Sequence, residues 1–312
     1  MNNPLVTIAI PAYKADFIEQ TIESALSQTY DNIEVVLVDD SAGNDIHSIV
    51  KKFSASSKIS YYHNEKNIGG KDPSANWNEC LKYAKGEFIC ILCDDDLYAP
   101  SFVCTMVELV NKYPECNAFR CGVSEIDEGG HVTNLFPLAP EYEDICEYIW
   151  HLHSGNNRQT MSEWMLRKAA LLKVNGYVPC PMAWGSDCAT VFTVAEYGGV
   201  VSSALRLMYF RNSGQNISGR EKSYIPEKIC GWYRQCDLAH GIVARSNNAY
   251  KEIILHEIGN DRKRWRKFLI KNASIKELTI MIRSKNIYKL NIGAYINGVV
   301  RNVLRFLGLR KK

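Results

Sequence analysis

The sequence contains no uncharged apolar stretch of the roughly 20 residues that a membrane-spanning helix needs. It also has no internal repeat, no low-complexity segment, no signal peptide and no motif of the common RNA- or DNA-binding folds. Its 11 cysteines and 7 histidines follow no regular metal-ligand spacing, and the odd cysteine number does not suit a closed set of disulfides. These absences exclude a spanning protein, a repeat protein and a secreted disulfide scaffold. They predict a cytosolic chain without a nucleic-acid partner.

What the sequence does contain is a globular composition with an uneven distribution of charge. Apolar residues make up 46% of the 312 residues, which suits one large domain with an appendage. Residues 261–312 carry 15 Lys+Arg against 2 acidic residues, whereas the rest of the chain carries 22 against 32. Positive charge concentrated at one end of a chain is typical of a segment that binds an anionic partner.

Short apolar runs alternate with amphipathic helical segments through the first hundred residues. The runs are Val6–Ile10, Glu34–Val38, Ile59–Tyr62 and Phe88–Leu92. Because neighbouring parallel strands are joined through a helix, this alternation predicts β-α-β units and a largely parallel sheet. The carboxyl ends of such strands gather at one edge, where open α/β sheets bind their ligands.

Acidic clusters follow two of these strands at the predicted ligand-binding edge. Asp39 and Asp40 end the second strand, and Asp94, Asp95 and Asp96 follow the fourth. Adjacent carboxylates repel one another unless a cation or a proton relieves the repulsion, so a divalent metal that carries a diphosphate suits this position. The alternative is an acidic turn that caps the next helix, since aspartate is a good N-cap residue.

Five short motifs follow one another through this half of the chain. They are Ile10-Pro-Ala-Tyr-Lys14, Val38-Asp-Asp-Ser41, Asn67-Ile-Gly-Gly70, Ala84-Lys-Gly-Glu-Phe88 and Leu92-Cys-Asp-Asp-Asp96. In order and spacing they resemble the motifs of family 2 glycosyltransferases. The match continues through Trp184-Gly-Ser-Asp187 and Tyr209–Ser218, and it covers roughly residues 4–220.

The resemblance implies a fold and a division of the chain. The fold would be the GT-A type of α/β fold, a Rossmann-like, mainly parallel sheet flanked by helices, with a C-terminal helical appendage. Residues 1–220 would form the catalytic domain, with the nucleotide-sugar half at about 1–100 and the acceptor half at about 100–220. Residues 221–312 would form a helical region that ends in a basic amphipathic tail.

The resemblance also implies roles for individual residues. Those that would contact the nucleotide sugar are Pro11, Tyr13, Asp39, Asp40, Asn67, Lys71 and Asp94. Among them, Asp40 would accept the uracil N–H, while Asp39 would support the loop. Asp95 would bind Mn²⁺ or Mg²⁺, and Asp96 would be either a second ligand or a loop anchor. Many members of the family have an aspartate where this chain has Cys93.

Transfer of a sugar needs more than a donor site. Negative charge develops on the diphosphate leaving group, which a metal ion neutralises, and the acceptor hydroxyl needs a general base. The resemblance makes Asp187 the candidate base, and direct attack assisted by one base inverts the anomeric centre. The alternative is that Asp187 is only a carboxylate at a helix N-terminus, favoured by the helix dipole. Trp184 would either stack on an acceptor sugar or belong to the core.

The basic tail also carries large apolar residues. From Ile292 to Leu307 they recur every three or four residues, with Arg301 and Arg305 between them. Such a helix suits the interface of an anionic inner membrane leaflet, which would be the partner of residues 261–312. The alternative is an ordinary helix docked on the catalytic domain with its basic side chains in solvent.

The sequence therefore predicts an inverting, metal-dependent glycosyltransferase that uses a nucleotide sugar, with a UDP-sugar favoured. The acceptor would be a glycan, in particular a lipid-linked oligosaccharide of bacterial surface polysaccharide (O-antigen or capsule) synthesis. The protein would lie in the cytoplasm, on the inner face of the cell membrane. A sugar nucleotidyltransferase would instead need a glycine-rich loop after the first strand, and Pro11-Ala-Tyr-Lys14 provides none. A non-catalytic, membrane-docked relative would have lost the metal carboxylates or the base, and both are present.

Overall fold

One large sheet with helices on both of its faces forms the centre of the protein. The structure is a computed structural model that describes residues 3–43, 45–70, 72–214, 224–283 and 292–306. The strands within these ranges are β1 (Val6–Ala12), β2 (Ile33–Asp39), β3 (Ile59–His63), β4 (Phe88–Ile91), β5 (Leu97–Tyr98), β6 (Ala118–Ile126), β7 (Val132–Leu135), β8 (Tyr142–Glu143), β9 (Trp164–Arg167) and β10 (Val200–Arg211).

The helices fall into those that flank the sheet and those that follow it. The first group is α1 (Ile18–Leu26), α2 (Asp45–Val50), α3 (Pro73–Tyr83), α4 (Phe102–Lys112), α5 (Ile145–Ser154), α6 (Lys168–Lys173) and α7 (Ser186–Val194), with short 3₁₀ turns at Lys51–Phe53 and Pro181–Ala183. The second group is α8 (Ile225–Arg245), α9 (Lys251–Asn272), α10 (Ile275–Arg283) and α11 (Ile292–Phe306).

The strand order joins two parallel groups into one continuous sheet. The order is β3-β2-β1-β4-β9-β6-β10-β5, with β7 added to β6 and β8 added to β10. Strands β1 to β4 are parallel, as the alternating pattern predicts, and β6 is parallel to β10. Strand β9 lies between the groups and is antiparallel to both β4 and β6. The carboxyl ends of β1, β2 and β4 therefore meet at one edge.

Both faces of the sheet are buried, because its central strands place alternate residues in two apolar clusters. In β1, Ile8 and Ile10 pack in one cluster and Ala9 packs in the other. Helix α1 covers the first cluster with Ile18 and Ile22, four residues apart on the same side of the helix. Burial on both faces is typical of parallel strands.

The helices that follow the sheet pack against it. Ile254 and Ile258 of α9 belong to the same apolar cluster as Tyr148 and Phe192 of the sheet domain. Further along, α8, α9 and α10 share a separate cluster. Helix α9 therefore docks on the sheet domain, whereas α10 packs on α8 and α9, and membrane contact of residues 261–312 stays a prediction.

Helix α11 packs on α10 with one side and exposes apolar residues on another. Gly298 lies so close to α10 that a Cβ on it would be 2.7 Å from Leu278 Cδ1. Ile296, Val300 and Val303 are 52%, 50% and 44% exposed. No helix within the described ranges has both the length and the apolar character needed to cross a membrane.

Candidate active site

The three consecutive aspartates lie in the connection between β4 and β5, beside the end of β1. The main-chain N–H groups of Tyr13 and Lys14 donate to Oδ2 of Asp94 at 2.8 and 2.7 Å. Pro11, at the end of β1, is half-buried, whereas the Tyr13 side chain is 61% exposed. The structure thus brings the first motif and the acidic loop together at the edge that the strand order predicts.

Lys14 supplies positive charge to the acidic loop. Its ammonium group bonds to Asp95 and lies 3.4 Å from Oδ1 of Asp94. Burial disfavours the charged form of Lys14, but the two carboxylates outweigh burial and raise its pKa. Burial also raises the pKa of Asp94, which Lys14 opposes. The ammonium group of Lys14 therefore neutralises part of the negative charge of Asp94 and Asp95. Carboxylate oxygens such as these are also the ligands that Mg²⁺ and Mn²⁺ prefer.

Asp96 anchors the acidic loop to two other parts of the fold. Its Oδ2 accepts a hydrogen bond from the Ser162 hydroxyl at 2.6 Å, and its Oδ1 accepts one from the N–H of Arg211 at 3.0 Å. Burial, and then the charge of Asp95, raises the pKa of Asp96 well above its usual range. Because both oxygens have protein partners, the contacts favour the anchor over the metal ligand among the two roles considered for Asp96.

Arg211, the last residue of β10, holds the acidic loop from the other side. It is buried, with its guanidinium 4.3 Å from the ring centroid of Phe17. Its Nε donates to the carbonyl of Asp95 at 3.0 Å, and one terminal nitrogen donates to the carbonyls of Asp127 and Glu128 at 3.1 and 3.0 Å. Because a guanidinium donates along several fixed directions, this one side chain ties the loop to the β6–β7 hairpin.

Asp40 organises the loop after β3. Its Oδ1 accepts hydrogen bonds from Asn64 Nδ2 at 2.8 Å and from the N–H of Ile68 at 2.9 Å. Its Oδ2 accepts from Asn67 Nδ2 at 2.9 Å and from the N–H of Gly69 at 2.8 Å. Since Asp40 is only 2% exposed, a nucleotide base would reach it only if this loop moved. Base contact by Asp40 and ribose or diphosphate contact near Asn67 stay predictions.

Asp39 holds the strand ends around Asp40. Its Oδ1 accepts from the N–H of Ser41 at 2.9 Å, and its Oδ2 accepts from the Tyr61 hydroxyl at 2.8 Å. The supporting role that the resemblance implies for Asp39 stays a prediction. Lys71 lies outside the described residues.

Asp187 lies in the first turn of α7, after Gly185 in the left-handed conformation at φ 83°. Burial raises the pKa of its carboxyl, and the nearby N–H of Cys188 and amide of Gln159 oppose that rise. Nearby Glu163 has its pKa raised to about 7, chiefly by burial and in part by the charge of Asp187. The candidate base is therefore a half-buried carboxylate next to a second acidic group.

Trp184 contacts the helices that follow the sheet. Its ring lies edge-on to Trp265 at 5.9 Å, and Nζ of Lys228 is 4.4 Å from its centroid. Helix α8 passes so close that a Cβ on Gly231 would be 2.2 Å from the Trp184 carbonyl oxygen. The residue is half-buried in this junction, and its contact with an acceptor sugar stays a prediction.

A second group of potential metal ligands lies where α5, α8 and α9 meet. Within the described residues, ligand atoms of His153, Cys236 and Asp261 lie within 4.8 Å of one another, and all three residues are buried. Nδ1 of His153 is 2.9 Å from Oδ2 of Asp261, and a nitrogen of Arg264 is 3.3 Å from Oδ1. The carboxylate of Asp261 is thus already paired with His153 and Arg264. We therefore interpret these three residues as a structural contact that holds α9 against α5, and not as a metal site.

The sequence missed three residues of the candidate site. Lys14 is part of the first motif, and its charge beside a predicted acidic edge was a usable signal. Ser162 and Gln159 lie in residues 141–183, where no motif was found. Ser162 meets Asp96 across 66 residues, so only the folded chain shows the contact.

A family profile and several known proteins match about half of the chain in sequence. A family profile described as "Glycosyl transferase family 2" matches residues 7–167. An uncharacterized glycosyltransferase of Rickettsia typhi is 35% identical over 141 residues, which cover 45% of this chain and 42% of that protein. The UDP-Glc:alpha-D-GlcNAc-diphosphoundecaprenol beta-1,3-glucosyltransferase WfaP of Escherichia coli is 35% identical over 138 residues, which cover 44% of this chain and 53% of WfaP. The matches therefore span about half the length of these relatives.

Solved structures match over nearly the whole chain. S. aureus TarS 1-349 in complex with UDP-GlcNAc superposes with a TM-score of 0.67 at 15% identity, covering 97% of this chain and 92% of that one. Mannosyltransferase PcManGT from Pyrobaculum calidifontis in complex with GDP-Man and Mn²⁺ gives a TM-score of 0.57 at 15% identity, with 97% and 88% covered. At these identities the likeness concerns the fold.

Proposed function

Since the chain belongs to glycosyl transferase family 2 and has the GT-A fold that its sequence predicted, we propose that it transfers a sugar, with inversion, from a UDP-sugar to a hydroxyl of a glycan acceptor. The observation that carries the proposal is the buried acidic loop, in which Asp94 and Asp95 are bonded to Lys14 at the carboxyl edge of β1 and β4. Open α/β sheets bind their ligands at this edge.

The donor would lie across the ends of β1 and β2. The exposed Tyr13 ring offers a surface on which a base could stack, and the loop held by Asp40 borders the same edge. The name of WfaP specifies a UDP-Glc donor, and the TarS complex contains UDP-GlcNAc. Both support a UDP-sugar, whereas the PcManGT complex contains GDP-Man, so a donor screen has to compare the two.

Asp95, with Asp94 beside it, would hold Mg²⁺ or Mn²⁺. When bound, the ion would neutralise the negative charge that develops on the diphosphate leaving group. Asp96 and Arg211 keep the loop in position, and Lys14 contributes a positive charge of the protein's own. The Mn²⁺ in the PcManGT complex supports a divalent ion in this fold.

Asp187 would take the proton from the acceptor hydroxyl as it attacks. Burial raises the pKa of this carboxyl, which makes it a stronger base than an exposed aspartate. The name of WfaP specifies a sugar on diphosphoundecaprenol as its acceptor, which supports a lipid-linked acceptor here and a place in surface polysaccharide synthesis.

A donor screen tests the proposal. Free nucleotide is measured after incubation with UDP-, GDP- and dTDP-sugars, with and without Mn²⁺, in the presence of a lipid-linked monosaccharide acceptor. We expect UDP release from a UDP-sugar that depends on both the metal and the acceptor. Release of pyrophosphate from UTP and a sugar 1-phosphate would identify a nucleotidyltransferase instead, and metal-independent transfer would remove the role of Asp95.

We also propose that the protein binds the anionic inner face of the cell membrane through α11. Ile296, Val300 and Val303 are about half exposed and lie three or four residues apart, so they form one apolar strip. The segment 261–312 around them carries 15 basic residues. Apolar insertion combined with attraction of basic residues to anionic lipid is the usual basis of interfacial binding.

Liposome sedimentation tests the membrane proposal. The full chain should bind vesicles with anionic lipid better than neutral ones, and salt should weaken binding because each nearby Lys or Arg contributes about 1 kcal/mol. Joint substitution Ile296→Ser, Val300→Ser and Val303→Ser should weaken it strongly. A control with Val132→Ser and Leu135→Ser, on the similarly exposed strand β7, should bind normally. Equal binding to anionic and neutral vesicles would refute the proposal.

A further inference from the structure

Lys14 contacts the first two carboxylates of the acidic loop, through its main chain and through its side chain. Its N–H donates to Oδ2 of Asp94 at 2.7 Å. Its ammonium group lies 3.4 Å from Oδ1 of Asp94 and bonds to Oδ2 of Asp95. The ammonium group thus bridges two carboxylates that would otherwise repel each other, and it is their counter-ion in this structure.

A divalent ion on the acidic loop would need the oxygens that the Lys14 ammonium contacts. Oδ2 of Asp94 already accepts the N–H groups of Tyr13 and Lys14, which use both of its lone pairs. Among the described contacts, this leaves Oδ1 of Asp94 for an ion, and that oxygen faces the ammonium. Asp95 offers Oδ2 to the same ammonium. Two cations on shared, partly buried oxygens repel each other strongly, so Lys14 and the ion exclude each other from this position.

The side chain of Lys14 can leave the carboxylates, whereas the neighbouring guanidinium of Arg211 is fixed. The Lys14 side chain is 25% exposed, and its ammonium lies at the end of a flexible four-carbon stem. Its main chain stays bonded to Asp94, so the ammonium can swing about an anchored residue. Arg211 is buried, and its guanidinium donates to three main-chain carbonyls. Lys14 is therefore the exchangeable positive charge beside the acidic loop.

We propose that Lys14 is an exchangeable counter-ion of the acidic loop. Without donor, its ammonium competes with the divalent ion for Asp94 and Asp95, and with donor it binds the diphosphate. Lys14 thereby joins the donor-binding residues and makes binding of the ion depend on binding of the donor. This inference rests on the proposed function, because it needs Asp95 to hold the ion.

The charge of the donor makes the exchange favourable. A nucleotide sugar carries its negative charge on the diphosphate, and a lysine ammonium binds phosphate oxygens well. Without the donor, displacement of Lys14 leaves a partly buried cation that has lost its partners, which is unfavourable. With the donor, the same ammonium exchanges one set of anionic oxygens for another. Ion and donor therefore strengthen each other's binding, since both depend on the release of one ammonium group.

Binding of Mn²⁺ to the donor-free protein tests the competition, with free Mn²⁺ measured by electron paramagnetic resonance. Lys14→Met removes the ammonium and keeps a flexible side chain, so it should bind Mn²⁺ about 10-fold more tightly than wild type. Lys14→Arg keeps the charge and can donate to both carboxylates, so it should bind Mn²⁺ no more tightly than wild type. Unchanged or weaker binding in Lys14→Met would overturn the proposal, because a purely structural lysine predicts that sign.

Thermal unfolding with and without Mn²⁺ keeps the test sharp if Lys14→Met is less stable. The variant lacks the counter-ion of two buried carboxylates, so without Mn²⁺ it should melt at a lower temperature than wild type. A fixed concentration of Mn²⁺ should raise its melting temperature more than that of wild type, because tighter binding to the folded state stabilises it more. An equal or smaller rise would count against the competition.

Lys85→Met is the matched control. Lys85 is exposed and precedes β4, so it lies at the end of this strand opposite to the acidic loop. The substitution makes the same change in net charge and should leave Mn²⁺ binding as in wild type. A gain in affinity equal to that of Lys14→Met would show an effect of net charge alone, and the competition would then be wrong.

Binding of a nucleoside diphosphate tests the second half of the exchange. UDP and GDP are titrated by calorimetry at saturating Mn²⁺, so the result does not depend on which base the donor carries. Lys14→Met should bind the preferred nucleotide about 10-fold more weakly than wild type, the usual effect of losing one charge-assisted hydrogen bond. Unchanged affinity would refute transfer of the ammonium to the diphosphate.

Asp95→Asn separates failure of this proposal from failure of the function on which it rests. If Asp95→Asn loses Mn²⁺ binding while Lys14→Met binds Mn²⁺ as wild type does, the metal assignment stands and the exchange is wrong. If Asp95→Asn itself binds Mn²⁺ as wild type does, the metal assignment is wrong and the exchange is overturned with it.

Discussion

Replacement of Asp95 by asparagine should abolish sugar transfer, with a loss on the order of 10³-fold or more, which corresponds to roughly 4 kcal/mol in the barrier. The substitution keeps the size of the side chain but removes the carboxylate that bonds to Lys14 and would bind the metal. Donor affinity should fall in the presence of Mn²⁺ and change little in its absence. The rate of transfer is measured from product formation. The donor affinity is measured by calorimetric titration with and without Mn²⁺.

Two comparisons make this result interpretable. Asp31→Asn alters an exposed aspartate before β2, at the opposite edge of the sheet, and should leave transfer unchanged. Thermal unfolding of Asp95→Asn shows whether the buried loop has survived the substitution. Near wild-type turnover in a folded Asp95→Asn protein would mean that the metal assignment is wrong.

Asp187→Asn should lower turnover by about 10²–10⁴-fold, the usual contribution of a general base, while donor binding stays nearly intact. The base works only when ionised, so wild-type turnover should fall as the pH drops through its pKa. Because burial raises that pKa, the fall should begin at a higher pH than an exposed aspartate would give. The pH dependence of turnover measures this fall. The residual turnover of Asp187→Asn should not show the same fall at acidic pH.

Asp45→Asn is the control that separates a base from a helix-terminal carboxylate. Asp45 is an exposed aspartate in the first turn of α2, as Asp187 is in the first turn of α7. If the helix dipole were the whole role of Asp187, both substitutions would cost roughly 0.3–1 kcal/mol of stability and neither would affect turnover strongly. A matching loss of donor affinity in Asp187→Asn would place it on the phosphate side of the site.

The fold was largely predictable because its signals are local and repeated. Fully apolar runs such as Phe88–Ile91, separated by helical periodicity, are typical of buried parallel strands, and the structure has β1 to β4 parallel. Membership in the family confirms the resemblance that the motifs carried. The antiparallel strand β9 in the middle of the sheet was not predictable, because its pairing depends on partners far away in the chain.

The candidate site was predictable where its residues sit at strand ends, and not where their partners are distant. The sequence could place Asp94–Asp96 at the edge of the sheet. It could not show which of these carboxylates is hydrogen-bonded to other parts of the fold. Asp96 and Asp40 have hydrogen-bond partners at both oxygens, and this is visible only in three dimensions.

The position of Arg211 in the chain has a consequence for how the protein is made. Its N–H bonds to Asp96 across 115 residues, and its guanidinium fixes the carbonyl of Asp95. On the ribosome the acidic loop is therefore synthesised long before the residue that fixes it. A nascent chain that ends before β10 has the carboxylates and their contacts with Lys14 and Ser162, but it lacks the contacts that Arg211 makes. The acidic loop thus acquires its full set of hydrogen bonds only after β10 has been synthesised and has paired with β6.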